Sequence, residues 1–342
     1  MTTRIYFATN SLGYITKNDL QQALDCYSLG TLVQFHRTAE GVMGQTLLVQ
    51  TTQGEFILKG NPLYDGQFLE EQFVVDQLAD RTSIPVPVPY RIHEDTQPLG
   101  WSYAIMPKLP GRHLYEPDFQ AALTSKDHEE IAELLAETLT QLHSWKVPHA
   151  GEYDPVPAQP FSGTYLDWLY GSIRHWLHDA EKYSVITDDD IHWVYKQLKQ
   201  SEPAFLALTI HEFVMGDFKV ENFLIQKEDT PASTWKMSGL FDFTTAYFGD
   251  GTADLTKMTA RYLREGRPDL AARFLNQYRK RVCADDEEMC EHFRSRLRIH
   301  LLYQRILWWG EAKATGRVTW EDDLPFAQWA ERYIQSVLAL LD

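Results

Sequence analysis

Residues 213–226 read FVMGDFKVENFLIQ, residues 227–234 read KEDTPAST, and residues 235–243 read WKMSGLFDF. Strand-like apolar segments on either side of a polar, turn-forming stretch predict a β-hairpin over about 212–243. With the turn centred on Ala232, Asn222 and Asp242 stand opposite each other on the two strands. Directly opposed residues in an antiparallel pair have Cβ atoms about 5 Å apart. Two oxygen ligands at that separation suit one Mg²⁺, which takes few protein ligands and leaves its other positions to phosphates and water. Asp217, in the loop leading into the first strand, adds a third oxygen group at the same end. Phe241 and Phe243 flank Asp242 and predict burial, and a buried carboxylate needs a partner such as a metal. Asp and Asn are also ordinary turn formers, so the expectation rests on the three together.

Outward toward the N-terminus the chain reads strand-rich. LLVQ (47–50) and EFILK (55–59) flank the turn TTQG, a hairpin signal. Residues 66–80 have helical character, and SIPVPVP (83–89) is an extended, proline-spaced segment. WSYAIM (101–106) reads as a buried strand, after which Pro107-Lys108-Leu109-Pro110-Gly111 punctuates the chain and marks a lobe boundary. Beyond it the pattern turns helical. Residues 126–143 carry Ile131, Leu134, Leu135, Leu139 and Leu142 at helical spacing. Further helices are expected at 164–184, 187–200, 253–281 and 286–313.

The 342 residues are enough for two lobes, and 44% hydrophobic residues are enough to bury a core. No apolar run approaches the roughly 18 residues that a membrane span needs. MTTRIYFATN does not read as a signal peptide. Cys26, Cys283 and Cys290 form no CxxC pair, so neither a disulfide framework nor a zinc site is expected, and a reducing, cytoplasmic setting fits. The net charge of −16, most of it beyond residue 108, argues against a nucleic-acid partner.

The segment GDFKVENFLI resembles the catalytic loop H-x-D-x-x-x-x-N of the aminoglycoside phosphotransferase and choline kinase superfamily, relatives of the protein kinases. GLFDF followed by FGDGTADL resembles that superfamily's metal-binding segment, and LLAETLTQLHSW (134–145) its helix ending in Leu-His. FILKG, LEEQFVVDQL and IPVPVPY fall in the order strand lysine, helix glutamate, proline-rich strand entry. The likeness spans roughly residues 40 to 260. Met215 stands where the superfamily has histidine, which puts the hydrogen bonding of the loop in question.

The resemblance implies an α+β, two-lobed, protein-kinase-like fold. Its nucleotide-binding, β-rich lobe would be 1–107, and a helical lobe, 108–342, would carry the catalytic hairpin and the acceptor-binding helices. It implies transfer of the γ-phosphate of ATP or GTP to a substrate hydroxyl, with Mg²⁺ on Asn222 and Asp242 and with Asp217 as catalytic base. Lys59 would bind the α- and β-phosphates. Its partner would be Glu71, which shares a helix side with Phe68, Val75 and Leu78, or else the adjacent Glu70. Gly41 and Gly44 would form a phosphate-covering turn or an ordinary hairpin turn. Met106 to Leu109 would be the hinge that contacts the base. Lys219 would reach the γ-phosphate or remain solvated, and His143 and His211 read as structural.

A protein kinase is disfavoured, because no HRD or APE motif is present and little room follows Asp242 for an activation segment. A non-catalytic nucleotide-binding protein is the rival of another class. The expected acceptor is a cationic small molecule such as an amino-sugar, with acidic runs at Asp188–Asp190 and Glu321–Asp323 and with Trp168, Trp176, Trp308 and Trp309 to face it. Against this, the acids can be surface solvation and the tryptophans core. Thr187 can cap a helix whose first turn holds the first run. Neither the acceptor's identity nor the oligomeric state is readable from the sequence.

Overall fold

In the computed structural model, residues 12–38, 46–152, 163–228, 233–284, 287–320 and 324–342 are described. Gly41, Gly44, Ala232 and the Glu321–Asp323 run lie outside them. The first element is a short helix that the composition of the N-terminal hundred residues does not announce, α1 (Lys17–Asp25). Thr16 caps it and Asp19 closes the capping box, and Leu20, Ala23 and Leu24 form its buried stripe. The strands β1 (Leu32–Arg37), β2 (Thr46–Thr51), β3 (Gly54–Gly60), β4 (Arg91–His93) and β5 (Tyr103–Pro107) form an antiparallel sheet in the order β1-β2-β3-β5-β4.

Alternation along the strands gives this sheet two apolar faces. Leu47, Val49, Phe56, Leu58, Tyr103 and Ile105 pack with α1 in a small core. The other face is covered by α2 (Gln67–Arg81), whose Phe68, Val74, Val75 and Leu78 belong to the main core. That core continues into the helical lobe, through α4 (Ser125–Leu142), α5 (Tyr165–Ala180), α6 (Asp188–Leu206) and the long α9 (Glu287–Thr315). A short α3 (Pro117–Ala122) precedes them. Each of α4, α5 and α6 opens with the same signal as α1, a threonine cap three residues before an aspartate, at Thr124, Thr164 and Thr187.

Two expectations are corrected and one helix is added. The stretch 253–281 is two helices, α7 (Leu255–Arg264) and α8 (Pro268–Val282), because Gly266 takes φ +71° and Pro268 starts a new helix. A last helix, α10 (Phe326–Leu338), buries Phe326, Ala330, Ile334, Val337 and Leu338. The segment 212–243 is not a single hairpin. Its first strand, β7 (His211–Val214), pairs with β6 (Lys146–Val147) and β10 (Tyr247–Gly249), while β8 (Phe223–Lys227) and β9 (Trp235–Leu240) form the two-stranded ribbon. Among the described residues no helix is long and apolar enough to cross a membrane.

Candidate active site

The loop 215–222 runs from β7 to β8 and is held from two sides. Its Met215 and Gly216 amides donate to the two oxygens of Asp254 at 2.7 and 2.8 Å, and Thr245 donates its hydroxyl to the Met215 carbonyl at 3.2 Å. Asp254 is itself met by His143 at 3.3 Å, and His143 by Tyr278 at 2.7 Å. The loop is thus anchored through its backbone, without a hydrogen bond from the side chain at 215, and Met215 is fully buried in the core. Gly216 takes φ +74°, and a Cβ there would lie 2.4 Å from the Thr245 carbonyl oxygen, so this turn requires glycine. A neighbouring buried pair, His300 and Asp250 at 3.0 Å, braces the start of the 3₁₀ turn before α7. Burial alone would raise the Asp250 carboxyl, but His300 holds it down at about 2.

Within this frame Asp217 is surrounded by donors. Lys257 reaches one carboxylate oxygen at 2.5 Å, and Lys219 reaches the other at 2.8 Å. The Asn222 amide donates to the Asp217 carbonyl at 2.9 Å and to its carboxylate at 3.1 Å. Burial disfavours the Lys219 ammonium, but Asp217 outweighs it and raises the lysine's pKa.

Asn222 and Asp242 are not opposed across the ribbon. Phe223 faces Leu240, and the Phe241 amide donates to the Asn222 carbonyl at 3.1 Å, so Asn222 stands opposite Phe241. Lys227 faces Trp235 rather than Met237, so the ribbon starts two residues off the expected register; an irregularity between Leu224 and Ile225 recovers one of them, and Asp242 lies two residues past Leu240, the last of the ladder, at φ +68°. In that left-handed conformation Asp242 turns to Lys59, whose Nζ is 3.1 Å from it and 3.0 Å from Glu71. Lys59 is the last residue but one of β3, and Glu71 lies on the buried side of α2 with Phe68, Val75 and Leu78, so the helix period turns Glu71 toward it. Glu70 bonds Tyr64 instead, at 2.6 Å.

Glu71 also accepts from the Tyr90 hydroxyl at 2.7 Å and the Phe243 amide at 3.4 Å. Burial works against the Lys59 ammonium, but Asp242 and Glu71 overcome it and keep its pKa above the usual lysine value. The same lysine pulls the Asp242 carboxyl below its ordinary range, against burial. Exposure separates the two acids: Glu71 is 4% accessible and serves as a buried counter-ion, whereas the Asp242 side chain is 40% accessible and can meet a ligand.

The remaining sequence-expected residues fall as follows. Met106 lies in β5 opposite Ile57 and is buried, and Leu109 follows that strand, packing beside Gly239 of β9. On the other side of Asp217 opens a cleft of about 1580 Å³, walled by α5, α7 and α9, whose lining includes Trp168, Trp176, Lys257, Tyr303 and Trp308. Trp309 is instead core, 2% exposed. Asp188, Asp189 and Asp190 are the first turn of α6, far from lining this cleft. Asp190 is buried and accepts from Thr187 and from the Ala327 amide at 2.8 Å, so this run caps a helix and ties down α10. Sequence patterns alone do not single out Lys257, Asp254 or Tyr90. For Lys257 and Asp254 a signal exists: they are three residues apart at the start of a helix that follows a Gly-Asp-Gly turn. Tyr90 has none.

Known proteins resemble this chain in sequence and in fold. The sequence model of the phosphotransferase enzyme family (APH) matches residues 35–292. A homoserine kinase of Xanthobacter autotrophicus is 32% identical over 133 residues, covering 36% of this chain and about a third, 37%, of that protein's length. Among solved structures, a thermostable mutant of aminoglycoside phosphotransferase APH(4)-Ia, in ternary complex with ADP and hygromycin B, superposes with a TM-score of 0.62. It is 16% identical, over 95% of this chain and 99% of the other. The GDP complex of aminoglycoside 2'-phosphotransferase-IIIa gives 0.59, at 14% identity over 94% and 99%. The backbone likeness is one of fold, and the family match covers most of the chain: the protein belongs to the phosphotransferase enzyme family and has its kinase-like, two-lobed fold.

Proposed function

We propose that this phosphotransferase moves the γ-phosphate of ATP or GTP onto a hydroxyl of a small molecule, with Asp217 as the base and with Lys59, Asn222 and Asp242 on the phosphate side. The observation that carries the reading is the Lys59 ammonium held between Glu71 and Asp242 next to a loop that presents Asp217 and Asn222. The donor set suits Mg²⁺. Asn222 uses its amide hydrogens on Asp217, which leaves its amide oxygen for a cation. Asp242 is accessible and favoured as the anion. Among the described residues no three His, Cys, Asp or Glu side chains gather, so two protein oxygens would hold an ion that takes the rest of its shell from phosphates and water. When bound, Mg²⁺ neutralises phosphate charge as transfer proceeds.

The protein's own share is positioning. Glu71 and Tyr90 keep Lys59 extended from β3, where its ammonium can meet phosphate oxygens. Asp254 and Thr245 fix the loop, and Lys219, Lys257 and Asn222 orient the Asp217 carboxylate toward the cleft. There it accepts the proton of the acceptor hydroxyl as the oxygen attacks phosphorus. A base set in place in this way has little reorganisation to do at the moment of reaction. An amino-bearing acceptor keeps the support of the cleft tryptophans but loses that of the Asp188–Asp190 run.

Mg²⁺-dependent nucleotide hydrolysis without added acceptor tests the reading. Slow turnover in the native protein that disappears in Asp242→Ala supports it. Nucleotide binding unaltered by Asp242→Ala, with no turnover in either protein, would favour a non-catalytic nucleotide-binding protein.

A further inference from the structure

We propose that Gly171 sets the width of the cleft, and that the acceptor lays a ring-sized group on the bare backbone of α5 there, between Trp168 and His175. This rests on the reading above in placing the reacting hydroxyl at Asp217.

Gly171 stands in the middle of α5. A glycine inside a helix is unfavourable relative to alanine, because it loses more backbone freedom on folding. Two ordinary reasons for keeping one do not apply. Gly171 is not among the glycines of positive φ, so a side chain would meet no backbone strain. No described atom lies within 4 Å of where its Cβ would sit, so no neighbouring element needs the room. The residue is exposed, and it lines the cleft. The room it leaves belongs to the cleft.

Its neighbours give that room a shape. Trp168, Gly171 and His175, at i, i+3 and i+7, fall on one side of the helix, and all three line the cleft. Trp168 and His175 are about 10 Å apart along the axis, at 1.5 Å per residue. Allowing one carbon–carbon contact of about 3.5–4 Å for the two side chains leaves a slot of roughly 6–7 Å, which takes a six-membered ring. The Trp168 ring is fixed by Tyr247 at 4.5 Å and by Tyr165 at 5.9 Å between centroids. Tyr247 pairs with Val214, three residues before Asp217, so the slot begins beside the loop that carries the base. The next strip of α5, Ser172 and Trp176, hydrogen-bonds the Tyr303 hydroxyl of α9 and keeps the open face turned to the cleft. A half-buried indole at the mouth of a slot suits the apolar face of a ring, whether aromatic or sugar-like. An open-chain acceptor would leave the slot partly empty.

Two matched pairs of alcohols test the proposal: phenylethanol against hexanol, and methyl glucoside against sorbitol, each with Mg²⁺ and ATP or GTP. In at least one pair the ring compound is expected to show a kcat/KM about tenfold or more above its open-chain match, the size of burying one ring face. Which pair shows it identifies an aromatic or a sugar-like ring. Gly171→Leu should erase the preference, chiefly through KM, and Gly171→Ala should keep part of it. Gly171→Ala should also raise the melting temperature by about 1–2 °C, as expected of a helix glycine without a packing role. Equal kcat/KM within both pairs, a preference that survives Gly171→Leu, or a Gly171→Ala protein less stable than the native one overturns the proposal. If none of the four is phosphorylated, fluorine NMR of fluorotryptophan-labelled protein decides, with the Trp168 signal assigned through Trp168→Phe. A shift of that signal on titration with phenylethanol or methyl glucoside, lost in Gly171→Leu, upholds the slot even where the kinase reading fails. No shift with either, or one that persists in Gly171→Leu, overturns it.

Discussion

Two groups of charge flank the loop 215–222, and they are built differently. On the strand side Lys59 has two carboxylates within 3.1 Å, and one of these, Glu71, is bonded in turn by Tyr90 and the Phe243 amide. Nearly every polar group there is used, and the network crosses from β3 and α2 to the segment after β9. On the helix side the face of α7 sets Lys257 on Asp217 and Arg261 on Glu265, and leaves Arg264 over the Trp308 ring with no ion pair among the described residues. A satisfied network fixes geometry, as polyphosphate transfer requires whatever the acceptor. An open cleft lined by both charged groups and aromatic rings selects by the shape and chemistry of what it meets. On the proposed reading, phosphate transfer belongs to the closed side and the choice of acceptor to the open one.

Asp217 joins the two sides, and changing it should have the largest effect. Asp217→Asn keeps the shape and removes the base, so kcat is expected to fall about 10²- to 10⁴-fold with nucleotide affinity nearly unchanged. Single-turnover transfer beside a nucleotide titration checks this, and a variant with a tenth of native kcat would rule Asp217 out as the base.

The next test bears on the strand side alone. Glu71→Gln removes the buried counter-ion of Lys59, and the expected loss is about 1.5–3 kcal/mol of stability, with weaker nucleotide binding. Urea unfolding measures it. A loss under about 0.5 kcal/mol would mean that Asp242 suffices for Lys59 and that the network is not closed in the sense described.

The smallest effect is expected from Tyr90→Phe, which removes one hydrogen bond to Glu71 without opening a cavity. About 1 kcal/mol of stability should be lost, with kcat/KM changed only a few-fold. Combining it with Glu71→Gln sharpens the point. If the two act through one carboxylate, the double variant should lose less than the sum of the singles.

Much of the strand side could be read in advance. Lys59 and Glu71 are placed by short-range periodicity, one at the end of an alternating strand and the other on the apolar side of a helix. Asp217 and Asn222 belong to one short loop. The register of the ribbon could not be read, because Lys227 already faces Trp235 where a turn centred on Ala232 would give Met237, and because nothing in the sequence marks the irregularity that then recovers one residue. The acidic runs misled for another reason. Counting charge cannot tell a helix cap from a binding wall, and Asp190 has the donors of a cap.

By itself the sequence determined the kinase-like fold, the family and the lysine–glutamate pair, since each depends on a motif in fixed order or on short-range periodicity. Only the tertiary structure decided what surrounds Asp217, what turns Asp242 toward Lys59, and which charges line the cleft. Lys257 is 40 residues from Asp217, Asp242 is 183 from Lys59, and Arg264 meets Trp308 through the packing of two helices. Contacts of that range are set by how the core closes, and local pattern carries no record of them.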